Sequence, residues 1–284
     1  MSPSLLQILV LAVIQGAAEL LPVSSSAHVI VAEKLMKLDP SSPQMTFTLI
    51  MLHTGTMAAV IVYFWKTWTR QFAPGKPGRA RSLVEIGVAT LATIAVGGAI
   101  KLVIEKALSH DGHKGEIEEL FSSIPLIAAA LATAGVLIVV AGVKEGKRRA
   151  EGTVDARRSV IIGIVQGLCV PFRGFSRSGA TISAGMIAGV ERRRSEEFSF
   201  ALAVVLTPIA VAAEALRLLK AHSSSSELLH AAAPALAGMV FSFLAGLVAL
   251  RWLSRWLESG RWSLFGIYCL AAAVGIFCLG VAGF

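Results

Sequence analysis

Two short stretches of this sequence hold polar groups where the surrounding chain is apolar. In the first, Gln15 and Glu19 are four residues apart, which places them on one helical face. Pro22 ends that helix. Ser24, Ser25 and Ser26 follow, and any of them can N-cap the next helix, with His28 in its first turn. In the second stretch, Gly174 permits a tight turn, Ser176, Arg177 and Ser178 follow, and Thr181 lies one turn later. Together the stretches offer one carboxylate, one imidazole, one guanidinium, several hydroxyls and two helix N-termini. Helix N-termini and an arginine fork suit a phosphate oxyanion. A hydroxyl beside a histidine suits phosphoryl transfer to the protein. Serines at helix starts are more often caps than nucleophiles, so the hydroxyls alone prove little. Arg177 carries more weight, because a central charge in a membrane costs roughly 2.5–3.5 kcal/mol on insertion scales. His53 lies inside an apolar run and fits a structural role as well as a place at the same cavity.

These groups need elements to position them, and composition places those elements in a membrane. The 284 residues are 55% hydrophobic and only 15% charged, where a soluble domain carries about 25% charged residues. The net charge is +8, but the basic residues sit between apolar runs. That points to a membrane surface and away from nucleic acid, and no basic patch interleaved with aromatics is present. Cys169, Cys269 and Cys278 all lie in apolar runs without metal spacing and read as small core residues. The first Lys or Arg is Lys34, so no cleavable signal peptide is expected.

A helix needs roughly 20 apolar residues to cross the hydrocarbon core. Six runs qualify, at about 45–65, 84–104, 120–143, 198–218, 231–250 and 263–283. Stretches 4–36 and 159–190 are apolar but broken, the first at Pro22–Ser26 and the second at Pro171–Gly179. Re-entrant helix-loop-helix hairpins fit both, because irregular backbone at membrane depth is allowed only where protein or a water-filled cavity surrounds it. Residues 66–82 and 144–158 are rich in Lys and Arg, whereas 105–119 is rich in acids. The positive-inside rule puts the first two in the cytoplasm and the third outside. The first hairpin then enters from the outer face, the second from the cytoplasmic face beside Arg192-Arg193-Arg194, and both termini lie outside.

The halves 1–150 and 151–284 of this single membrane domain match at an offset of 151 residues. Gln15-Gly16 falls on Gln166-Gly167, Ser25 on Ser176, Phe47-Thr48 on Phe198-Ser199 and Thr56 on Thr207. Each half reads as one broken hairpin and three spans. Three is odd, so the second half starts on the opposite face, an inverted-topology repeat. The expected fold is all-α and integral to the membrane: six transmembrane helices plus two re-entrant hairpins.

The stretch Gln15 to His28, with Glu19, Pro22 and Ser24-Ser25-Ser26 inside it, resembles the first motif of the bacterial undecaprenyl-diphosphate phosphatases, or bacitracin resistance proteins. Gly174-Phe175-Ser176-Arg177-Ser178-Gly179-Ala180-Thr181 resembles their second motif, and Phe198-Ser199-Phe200 a third stretch. The resemblance implies removal of the terminal phosphate of undecaprenyl diphosphate, recycling the lipid carrier for peptidoglycan, in the bacterial plasma membrane. It implies a site open to the outer side and a divalent cation, Mg or Ca. On it, Glu19 is a catalytic acidic residue and metal ligand, Ser25 the nucleophile and His28 the general base or acid. Ser176, Arg177 and Thr181 hold the diphosphate, with Ser24, Ser26, Ser178 and Gln15 as further substrate contacts. The implied partners are a polyprenyl diphosphate lipid, the membrane and, as a further candidate, a second copy of the chain.

Five departures stand out, one being that Pro208 comes later after Phe198-Ser199-Phe200 than in the family. Gln15 stands where the family usually has a second Glu, Ala27 for Gly, His53 where Gln is common, and Phe172-Arg173 between Pro171 and Gly174. Losing a carboxylate weakens a hard-cation site, and Arg173 offers charge in its place. The unrelated lipid phosphatases with an S-R-x5-H pattern fit less well, since position 183 is Ser. A transporter or flippase of the same lipid carrier is the alternative that the inverted repeat suggests.

Overall fold

A computed structural model describes residues 3–39, 42–109, 120, 123–147, 151–220, 225–258 and 261–282. Within these the regular structure is ten α-helices. The β-type pairing between Gly152 and Val190 is an isolated bridge. In chain order the helices are α1 (Leu5–Leu20), α2 (Ser25–Leu35), α3 (Pro43–Gln71), α4 (Arg79–Leu108) and α5 (Ile124–Lys147). There follow α6 (Ala156–Cys169), α7 (Arg177–Ile187), α8 (Arg192–Lys220), α9 (Ser225–Glu258) and α10 (Trp262–Val281). Of the acidic stretch 105–119, Asp111, Glu116, Glu118 and Glu119 lie outside the described residues.

Six helices, α3, α4, α5, α8, α9 and α10, are long and apolar enough to cross a membrane. Each overlaps one of the six expected runs, though α5 begins at Ile124, after the start of the 120–143 run, and α10 ends at Val281, before the end of the 263–283 run. Several overshoot the run, because polar residues at a span's end continue the helix while leaving the hydrocarbon. Large apolar side chains such as Leu91, Leu102 and Val103 face outward, as lipid contact requires and water does not favour. The remaining four helices are short. At 1.5 Å per residue, α2, α6 and α7 fall well below the roughly 30 Å of a hydrocarbon core.

Local chemistry sets where the short helices stop and start. Ser4 and Gln7 form a capping box at the start of α1. Its end is set by Pro22, which holds Leu21 in extended backbone at φ −82° and ψ 152°. Asp155 caps α6 by accepting from the Arg158 N–H at 2.9 Å. Ser24 and Ser176 occupy the N-cap positions of α2 and α7, with φ of 67° and 47°. Positive φ is uncommon for residues other than glycine. Gly174 turns at φ +99°, and a Cβ there would stand 2.5 Å from the Ile127 carbonyl oxygen. Gly189, at φ +86°, ends α7, while Lys144 Nζ and Arg158 Nε donate to the Ile187 and Ala188 carbonyls at 2.8 and 3.1 Å. Part of the basic charge near 144–158 thus caps a helix.

The packing alternates between halves. Helix α1 packs on α9 and α6 on α4, α3 on α9 and α8 on α4, α5 on α10, and α3 on α8. The largest buried cluster joins α1, α2, α3, α5, α7, α8, α9 and α10, with Leu131, Ile138, Phe200 and Trp262 all fully buried. Trp262 Nε1 donates to Ser183 Oγ at 3.0 Å, satisfying its polar edge inside that core. The result brings the break between α1 and α2 against the break between α6 and α7.

Candidate active site

The two breaks hold one another. The Gly174 N–H donates to Ser26 Oγ at 3.0 Å, and Ser178 Oγ donates to the Leu21 carbonyl at 3.2 Å. One serine from each break therefore fastens the other. Between them lies a cavity of about 180 Å³ whose wall includes Glu19, Ser25, His53, Arg173, Ser176 and Arg177.

Glu19 organises this cavity. Its Oε1 accepts from Arg177 Nη2 at 3.0 Å. Its Oε2 accepts from Ser25 Oγ and, at 3.3 Å, from Gln15 Nε2. The carboxylate fixes the Gln15 amide with its nitrogen inward, since a carboxylate only accepts. That same nitrogen lies 3.0 Å from His53 Nδ1. His53 Nδ1 is then an acceptor, and the proton of its neutral ring sits on Nε2.

Two groups in the wall are left over. Arg177 Nη1 and Ser176 Oγ are buried and have no hydrogen-bond partner among the described residues. Ser176 does not cap α7 with its side chain. Buried polar atoms are nearly always paired, so an orphan guanidinium nitrogen and an orphan hydroxyl in one cavity mark a place for an acceptor-rich ligand. The free N–H groups at the start of α7 add to it.

The expected site residues divide into groups. Gln15, Glu19, Ser25, Ser176 and Arg177 meet at or behind the cavity. Ser24, Ser26 and Ser178 line it as well, and each of the three makes a cap or cross-break bond. Thr181 is fully buried and is not in the wall. It donates to the Arg177 carbonyl at 2.8 Å and pairs with Ser199 Oγ at 2.6 Å, so it supports the turn that carries Arg177. His28 does not return to the side of Ser25. Its Nδ1 donates to the Ser24 carbonyl and its Nε2 meets the Tyr268 hydroxyl, both at 2.7 Å, with the two rings stacked. It lines a separate, mostly apolar groove of about 430 Å³ with Leu21, Trp252, Leu264 and Phe265. Ala18 belongs to both walls. His53 is the imidazole inside the polar cavity, a place that its position in an apolar run left undecided.

The backbone does not follow the 151-residue sequence offset at this point. The 151-residue offset pairs Ser25 with Ser176, but the N-caps with positive φ are Ser24 and Ser176. Matched by backbone, Ser24-Ser25-Ser26 faces Ser176-Arg177-Ser178. Ser25 then corresponds to Arg177, and both bond Glu19.

A resident divalent cation would need several hard oxygen donors. Among the described residues no three His, Cys, Asp or Glu side chains gather in a way that could hold a metal. Glu19 is the carboxylate of the cavity wall, and its oxygens already face Arg177, Ser25 and Gln15. This donor set does not fit a hard divalent ion.

Comparison with known proteins agrees with the motifs. The family model described as bacitracin resistance protein BacA matches residues 8–275. A protein named undecaprenyl-diphosphatase 2 from Acinetobacter baylyi is 54% identical over 277 residues, covering 94% of this chain and 95% of its own. Undecaprenyl-diphosphatase 2 of Burkholderia orbicola and undecaprenyl-diphosphatase 1 of Burkholderia pseudomallei are each 34% identical, covering 95% of this chain and 94% of theirs. The chain belongs to the BacA family of bacitracin resistance proteins.

Proposed function

We propose that this protein hydrolyses undecaprenyl diphosphate to undecaprenyl phosphate and inorganic phosphate, recycling the envelope lipid carrier and conferring bacitracin resistance. One observation carries the reading: Glu19 bonds Ser25 and Arg177 at once, beside an orphan guanidinium nitrogen. That joins a hydroxyl, a proton acceptor and an oxyanion clamp.

In this reading the terminal phosphate occupies the polar cavity and the prenyl chain the apolar groove. Ser25 Oγ attacks the terminal phosphorus, and its proton passes to Glu19 Oε2. Arg177 Nη1, Ser176 Oγ and the α7 N-terminus hold the phosphate oxygens. The P–O bond to the lipid phosphate breaks, and undecaprenyl phosphate leaves along the groove past His28. His28 and Tyr268 then serve the leaving lipid phosphate. Water cleaves the phosphoserine, releasing phosphate and restoring the Ser25 hydroxyl.

We read α1–α2 and α6–α7 as re-entrant hairpins entering from opposite faces. Their short lengths, the mutual serine bonds and the exchange of packing partners between halves support an inverted repeat. The site opens to the outer side of the bacterial plasma membrane in the orientation that the basic loops favour. The transporter alternative draws no support from the relatives' names. Phosphate release from undecaprenyl diphosphate by purified protein in detergent, where no sides exist, tests the hydrolase. Release at enzymatic rates is expected. Its absence, with lipid translocation in vesicles, would replace the hydrolase with the transporter.

A further inference from the structure

We infer that this chain binds its diphosphate without a bridging divalent cation, with the Arg173 guanidinium supplying charge that a metal ion would otherwise bring. The inference deepens the hydrolase reading but is read from the cavity itself. A site that seats a divalent cation presents an excess of negative oxygen donors. This wall presents one carboxylate, Glu19, against two guanidiniums, Arg173 and Arg177, with the His53 imidazole beside them. Such a wall favours an anion and repels a cation.

The donors that remain point the same way. Gln15 turns its amide nitrogen, a pure donor, toward Glu19 Oε2 and His53 Nδ1. His53 therefore spends its acceptor nitrogen on Gln15, and its remaining N–H is a donor toward phosphate, not a metal ligand. Ser176 Oγ and Arg177 Nη1 are unpartnered in the same wall, and Ser176 is 95% buried, with 5% relative exposure. Both of these unpartnered groups can donate a hydrogen bond, and a diphosphate is acceptor-only when ionised. Two of the motif departures carry this change together. A Glu at position 15 and no Arg at 173 would leave two carboxylates facing one guanidinium.

Binding decides the matter independently of turnover. Purified protein is titrated calorimetrically with methylenediphosphonate, which cannot be hydrolysed, in EDTA and in magnesium or calcium. The wild-type affinity is expected to change by less than about threefold between these conditions. Arg173→Gln is expected to weaken binding in EDTA by about tenfold or more. The pair Gln15→Glu with Arg173→Gln is expected to bind only when the divalent cation is present. Loss of wild-type binding in EDTA overturns the inference, whether or not the variants fold. So does an Arg173→Gln protein that binds as the wild type does in EDTA. Phosphate release is followed in parallel to separate the two readings. Binding in EDTA without release from undecaprenyl diphosphate under any condition leaves this inference standing and removes the hydrolase. No binding in EDTA, with release once the cation is added, does the reverse.

Discussion

Arg177 reaches 158 residues back along the chain to place Nη2 3.0 Å from Glu19 Oε1, joining the two helix breaks by an ion pair. Both side chains are mostly but not fully buried, at 23% and 18% exposure. A partly buried pair of this kind adds less to stability than its Coulomb attraction suggests, because desolvation offsets it. Its value lies in aim. With Nη2 tied to Glu19, the guanidinium plane is fixed, and Nη1 is held at the cavity wall with no partner among the described residues.

The first prediction follows from those two nitrogens. Arg177→Lys should lower kcat/KM for phosphate release by about 30-fold, near 2 kcal/mol. A lysine ammonium is a point charge and cannot grip Glu19 and a phosphate oxygen with a planar fork. Turnover by the lysine variant close to wild type would reduce Arg177 to a strut between the breaks.

Gly174 offers a test of the turn. Gly174→Ala should destabilise the protein by about 1–3 kcal/mol, seen as a lower midpoint in detergent thermal unfolding. The residue needs φ +99°, and its Cβ would press on the Ile127 carbonyl. The same shift disturbs the Gly174 N–H bond to Ser26. An alanine variant as stable as wild type would show that the turn relaxes freely.

Much of this site was legible because buried polarity is rare in a membrane chain. Glu19 and Arg177 stand out among apolar neighbours, and Pro22 and Gly174 mark the breaks beside them. The six long helices follow from run length alone. Other features depend on distances that no spacing encodes. His28 sits three residues after Ser25, which suggests one face, but the positive φ at Ser24 and the bond to Tyr268 in α10 turn its ring into the groove. His53 enters the cavity only because α3 passes alongside Gln15. The resemblance makes Thr181 a phosphate ligand, yet Ser199 on α8 claims its hydroxyl. The one-residue shift between Ser25 and Ser24 is likewise a matter of backbone torsion, invisible to residue type.

Orientation can be read by labelling. In a background with Cys169, Cys269 and Cys278 replaced, Lys76→Cys should resist a membrane-impermeant thiol reagent applied to intact cells, and Ser109→Cys should react. Both positions are exposed, and the basic residues 66–82 carry the argument. Labelling of Lys76→Cys from outside with protection of Ser109→Cys would invert the protein and move the proposed mouth of the site to the cytoplasm.

The last prediction separates the three residues proposed to handle the reaction. Ser25→Ala, Glu19→Ala and His28→Ala should each lose most phosphate release while remaining folded, but at different steps. Ser25 Oγ donates to Glu19 Oε2, so removing either should abolish formation of the covalent intermediate. Rapid quenching with lipid labelled in the terminal phosphate should then find phosphoserine in wild type and none in these two variants. His28 faces the groove beside Tyr268, where the lipid phosphate is proposed to depart. Its loss should raise the barrier to leaving-group expulsion, and Tyr268→Phe should reproduce part of that effect, because it removes the hydroxyl that holds the ring. A leaving group that needs less help should partly rescue His28→Ala, so an activated aryl phosphate ester should discriminate less against that variant than undecaprenyl diphosphate does. Activity retained in Ser25→Ala but lost in His28→Ala would make water the nucleophile, with Ser25 only positioning phosphate. Normal turnover by all three would remove the chemistry from this cavity altogether.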